Sequence, residues 1–90
     1  MRFTFDAVKS RKLKASRGVG LDEAQEIWTH PYYLDQRLEV PEQYRAIGWV
    51  KGKLYSVIFE VREDKDGEYN HLVTLWRATT AEEKLYAQNS

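Results

Sequence analysis

From Tyr44 onward apolar and polar residues alternate with a period of two, through YRAIGWV, KG, KLYSVIFEVR, EDKDGE and YNHLVTLW. A period of two marks strands, and the short glycine-containing breaks mark hairpin turns, so this stretch predicts a three-stranded antiparallel meander. Upstream, RFTF alternates polar and aromatic residues and predicts a short opening strand ended by Asp6, which is placed to cap a helix over residues 6–16. Gly18 stands where a helix stops, and LDEAQEIW follows as a second helix with Leu21, Ala24 and Ile27 or Trp28 at helical spacing. That helix ends at THPYY, because Pro31 disfavours helical geometry at His30. Residues 34–40 alternate weakly and fit an edge strand closed by Pro41. The last segment, TTAEEKLYAQ, opens with Thr79 or Thr80 as N-cap and Glu82 or Glu83 near the third helical position, a capping box. The expectation is one small α+β domain over residues 1–90. It has the order β-α-α-β-β-β-α, with three or four antiparallel strands, two N-terminal helices and one C-terminal helix.

The turns fix which side chains share a face. With Lys51-Gly52 as a two-residue turn, Val50 faces Lys53 and Tyr44 faces Phe59. One face then collects Tyr44, Ala46, Gly48, Val50, Tyr55, Val57, Phe59 and Val61 and belongs under the helices. The other collects Arg45, Ile47, Trp49, Leu54, Ser56, Ile58, Glu60 and Arg62. Closing the next hairpin through Asp64 and Gly67 sets His71 opposite Glu60 and Tyr69 opposite Arg62, on that second face. Arg45 lies diagonally from Glu60, within reach for long side chains.

An acid, an imidazole and two guanidinium groups in one cluster have the chemistry for metal-independent RNA cleavage. Glu60 or His71 would act as base or acid, and Arg45 and Arg62 would hold the phosphate and offset its transition-state charge. Cross-strand salt bridges on an exposed sheet face would give the same pattern without function.

Composition narrows the classes. The chain has 90 residues, 42% hydrophobic, with three Trp, six Tyr and three Phe, enough for one modest core. Without cysteine, a disulfide framework, a Cys-based zinc site and a thiol nucleophile are excluded. No metal or cofactor is expected, and neither a secretory leader nor a membrane span is legible, which fits a soluble cytoplasmic protein. Lys plus Arg equals Asp plus Glu at 14 each, so only the distribution of charge is informative. Residues 9–17 hold Lys9, Arg11, Lys12, Lys14 and Arg17 and no acid; with Arg77 they are the candidate RNA contacts, although a solvated helix face would look the same. The aromatic residues fit core packing better than base stacking, and His30 fits a structural turn.

The stretch FDAVKSRKLKASRGVGLDEAQEIWTHP resembles the opening of BrnT toxins at Phe5, Asp6, Lys9, Gly18, Val19, Asp22, Glu23, Ala24 and Pro31. AIGWVKGKLYSVIFEVR is similar to the family's central hairpin at Ile47, Gly48, Leu54 and Arg62, and RATTAEEKLYAQ to its last helix at Ala78, Thr79, Glu82 and Tyr86. The sequence departs at Ser16 and Arg17, where the family carries Lys and His, at His71, where Arg is common, and at Trp76, where an Arg is expected. The resemblance implies a RelE-like fold and an endoribonuclease toxin of a type II toxin-antitoxin pair. Its partner would be a BrnA-like DNA-binding antitoxin that keeps it silent and, in complex with it, represses the operon. A catalytically degenerate homologue that only binds the antitoxin is the alternative.

Overall fold

A computed structural model describes residues 1–89. Five strands, β1 (Phe3–Thr4), β2 (Tyr33–Leu38), β3 (Gln43–Val50), β4 (Lys53–Asp64) and β5 (Gly67–Arg77), form one sheet in the order β1-β5-β4-β3-β2. The expected three or four antiparallel strands become five in a mixed sheet. The weakly alternating segment pairs along β3 as an edge strand, and β1 joins the far edge parallel to β5. Three helices flank the sheet: α1 (Ala7–Arg17), α2 (Leu21–Ala24) and α3 (Thr80–Gln88).

The local signals act as the sequence suggests. Asp6 caps α1 by accepting from the Lys9 backbone N–H at 2.9 Å, and Gly18 ends it with φ of 86°, a left-handed conformation that costs glycine nothing. Lys51 and Gly52 both have positive φ, the signature of a type I′ hairpin turn that matches strand twist. Thr79 and Glu82 form the reciprocal capping box that starts α3. The second predicted helix splits, since only Leu21–Ala24 is α-helical and Gln25–Thr29 tightens into a 3₁₀ helix.

The helices lie on both faces of the sheet. Leu13, Leu21, Ala24 and Ile27 pack with Ala46, Val57, Phe59, Leu72 and Leu75 in the main core. Opposite this core Ile47, Ser56 and Ile58 are also sealed from solvent, because α3 lies across them; Glu82 reaches Trp76 and Arg45, and Tyr86 meets Trp49 edge to face. The C-terminal helix thus covers the apolar half of the second face. Beyond Ile58 the cover ends, leaving Glu60 and His71 half-buried and Arg62 exposed.

A shared carboxylate ties the N-terminal helices to the β3–β4 turn. Glu23 accepts from Lys14 Nζ at 2.6 Å and from the Gly20 N–H, and its other oxygen pairs with Lys51 Nζ at 2.5 Å. Lys14, then Lys51 and the Gly20 amide, hold the carboxyl down at about 2, against 4.5 for an ordinary glutamate. A carboxyl depressed on folding stabilises the folded state above its unfolded pKa and loses that contribution as the pH falls toward the folded value. Both lysines are more than half exposed (52% and 56%), so solvent screening keeps the effect small. We expect the urea midpoint to be insensitive to Glu23 ionisation above about pH 5 and to fall between there and about pH 2. Glu23→Gln should lower the neutral-pH midpoint and flatten that acid limb, which equilibrium unfolding at several pH values will show.

Candidate active site

The register across the sheet sets Gln43, Glu60, His71 and Thr4 side by side on β3, β4, β5 and β1. His71 opposes Glu60 and Tyr69 opposes Arg62, as the hairpin turn dictates. A β-bulge interrupts the β4–β5 pairing only beyond this point, between Ile58 and Phe59, so it leaves His71 on the second face.

Within the row the bonds are specific. Glu60 Oε1 accepts from Arg62 Nη2 at 2.7 Å and from Arg62 Nε at 3.1 Å, and Oε2 accepts from Gln43 Nε2 at 3.1 Å. Arg62 foremost, with help from Gln43, outweighs the opposing effect of burial and holds the Glu60 carboxyl below its ordinary value. Glu60 is therefore ionised at neutral pH and is an electrostatic anchor rather than an acid. His71 Nδ1 lies 2.8 Å from Thr4 Oγ1, a hydrogen bond, and no direct bond joins it to Glu60. Burial and the nearby Arg62 push the imidazole below 6.5, with Lys9 adding to them, against the smaller upward pull of Glu60 and Asp6. A carboxylate opposite an imidazole would by itself raise its pKa, but here desolvation and the neighbouring cation win. At neutral pH His71 is a neutral imidazole, suited to take up a proton.

The remaining sequence candidates divide. Arg45 faces away from Glu60: its guanidinium is paired with Asp35 and donates to Glu82 Oε2 at 3.3 Å. Asp35, directly opposite Arg45 on β2, and Glu82 of α3 outcompete the diagonal Glu60, whose carboxylate is bonded to Arg62 and Gln43. Arg45 therefore stands outside the cluster to which the sequence assigned it. Lys14 is paired with Glu23, Arg17 donates to the Leu75 carbonyl at 3.1 Å, and Arg77 lies over the Tyr55 ring. Lys9, Arg11 and Lys12 are exposed and, among the described residues, their side chains make no ion pair or hydrogen bond. His30 is exposed on the Glu26 carboxylate, away from the row.

No family model matches the chain, and no curated protein is significantly similar to it. The site must be judged on its own geometry. Among the described residues no three His, Asp or Glu side chains converge to hold a metal ion, and no helix is long and apolar enough to cross a membrane.

Two members of the row, Gln43 and Thr4, are not among the candidates the sequence pointed to. Gln43 was legible, because the turn that sets Tyr44 opposite Phe59 also sets Gln43 opposite Glu60. Thr4 was not, since its place beside His71 depends on a parallel pairing between chain segments that no local pattern encodes.

Proposed function

We propose that this chain is the toxin of a type II toxin-antitoxin pair, a BrnT-like protein with a RelE-like arrangement of helices on an antiparallel meander. It acts in the cytoplasm as a metal-independent endoribonuclease, cleaving mRNA and so inhibiting translation. A BrnA-like antitoxin silences it, and it meets DNA only within that complex. The observation that carries the ribonuclease reading is His71, bonded through Nδ1 to Thr4, standing opposite Glu60 of the Glu60–Arg62 pair at the open end of the sheet face, where burial and Arg62 hold the imidazole below its ordinary value.

The chemistry follows from the site. Nε2 of His71 removes the proton of a ribose 2′-hydroxyl, and the oxygen attacks the adjacent phosphorus. The bond from phosphorus to the 5′-oxygen breaks, and that oxygen takes a proton from the imidazolium or from water, leaving a 2′,3′-cyclic phosphate and a 5′-hydroxyl end. Arg62 offsets charge on the phosphorane, with Lys9 of α1 as the nearby unpaired cation, and Arg11 and Lys12 extend the positive surface along the RNA backbone.

A second reading has its own support. Arg62 and Arg45 are both neutralised by carboxylates, which leaves the row without an unpaired guanidinium and suits a module that binds antitoxin without cleaving RNA. A partner that holds a toxin silent covers about 800 Å² on each side. The exposed Trp49, with Leu54 and Tyr86, lines an open groove of about 440 Å³ that offers part of such surface, and the basic face of α1, on the other side of the sheet, offers a second part. Induced expression without antitoxin decides between the two. Growth arrest with loss of intact mRNA is the expected result, whereas unimpaired growth with folded protein in the soluble fraction would overturn the ribonuclease reading and favour the binding module.

A further inference from the structure

Thr4 touches the one side chain to which proton transfer is assigned. β1 contributes only two residues to the sheet, and both are fixed against β5: Phe3 pairs with Asn70 and Thr4 with His71, while the Asn70 N–H donates to the Arg2 carbonyl at 2.9 Å. Two residues after Thr4, Asp6 caps α1, so the strand is held at its other end too. The threonine hydroxyl is thereby delivered to Nδ1 of the imidazole at 2.8 Å by backbone pairing.

We infer that Thr4 is a positioning residue that sets the tautomer of His71: its Oγ1 accepts from Nδ1–H, so that Nε2 presents a lone pair to the substrate. This deepens the ribonuclease reading and rests on it for its catalytic consequence. The polarity follows from the proton balance of the reaction. When Nε2 takes up the 2′-hydroxyl proton, the ring becomes an imidazolium whose two nitrogens are both donors. A bond from Nδ1–H to Oγ1 persists unchanged through that step. The reverse bond, from the hydroxyl to Nδ1, would leave Nε2 protonated beforehand and unable to act as base. The other charged groups facing the ring, Arg62 and Glu60 of β4, Asp6 ahead of α1 and Lys9 within it, act on it through space. Among the described residues only Thr4 bonds a ring nitrogen of His71.

The test uses the full chain labelled with ¹⁵N, with the two histidines told apart by a His30→Gln variant. Ring nitrogen shifts are read at a pH where His71 is neutral, for the parent protein, Thr4→Ser and Thr4→Val. The parent and the serine variant should carry the proton on Nδ1, and the near-isosteric valine variant should move toward the Nε2–H form. On a single-stranded RNA oligonucleotide, Thr4→Val should lower kcat about tenfold with KM unchanged, a part of the 10²- to 10⁴-fold that a general base supplies, and Thr4→Ser should restore it. An Nε2–H tautomer in the parent protein, or a valine variant that keeps the proton on Nδ1, overturns the inference. A tautomer shift as stated, with no cleavage by the parent protein, overturns the ribonuclease reading and leaves the Thr4 assignment standing.

Discussion

Replacing His71 by alanine is expected to lower RNA cleavage by about 10²-fold or more, the scale on which a general acid or base acts. The side chain is half-buried at the edge of the α3-covered region, so its loss removes little packing, and the melting temperature should move by only a few degrees. The pH profile gives the assignment its sign. A base must be deprotonated, and burial, Arg62 and Lys9 depress the imidazole below 6.5. The rate should therefore rise with pH through that depressed pKa and be level by neutrality. An activity that instead increased with acidity through the same range would make His71 an acid. Glu60, also depressed, stays ionised across this window, so it adds no second limb near neutral pH. His30→Ala is the internal control, since that imidazole sits on Glu26 away from the row and should leave turnover unchanged. Cleavage by His71→Ala at the parent rate would remove the residue from the mechanism.

The local half of this fold was legible and the non-local half was not, and the site divides along the same line. Turn chemistry at Lys51-Gly52 and Asp64-Gly67 sets the two hairpin registers without reference to the rest of the chain, so the opposition of His71 and Glu60 could be read directly. The caps at Asp6, Gly18 and Thr79 are equally local. What escaped depends on energies summed over distant segments: the docking of β1 on β5, the side of the sheet that α3 takes, and the choice of Arg45 between Glu60 and two other acids. The β-bulge, by contrast, does leave a mark in the sequence. Leu72 and Leu75 both enter the main core although they are three apart, which a strict period of two forbids. Their spacing marks the bulge, whose extra residue also turns Trp76 toward Glu82.

Arg45→Ala should unfold more readily than any other single change in the polar residues of this sheet face, while leaving the activity per folded molecule nearly intact. Glu82 is the reason. Its side chain is 5% exposed, wedged between α3 and the sheet, where Trp76 Nε1 donates to it at 2.9 Å, the Thr79 N–H at 2.9 Å and Arg45 Nη1 at 3.3 Å. Burial pushes the Glu82 carboxyl up; the Thr79 amide, the Trp76 indole, the nearby Ser56 and Arg45 together overcome it and hold the group below its ordinary value. Ser56 Oγ is buried near that carboxylate and outside hydrogen-bond geometry. Removing Arg45 leaves two acids, Asp35 and Glu82, without their common cation. Breaking a buried pair by deleting one partner costs about 3–5 kcal/mol, and the partial exposure of Arg45 and Asp35, at 24% and 30%, puts this case near the lower figure. The pH dependence distinguishes this from lost packing. A carboxyl depressed on folding stabilises above about pH 4.5 and loses that contribution as the pH falls, so the gap between parent and Arg45→Ala should be widest near neutrality and narrow as Glu82 protonates. Glu82→Gln added to Arg45→Ala should recover part of the loss, because the amide oxygen can still accept from Trp76 and Thr79 without a charge to bury. Urea unfolding at pH 7 and pH 4 for the three proteins is the measurement. A gap that does not change with pH would assign the cost to the missing side-chain volume of Arg45 rather than to the stranded carboxylates.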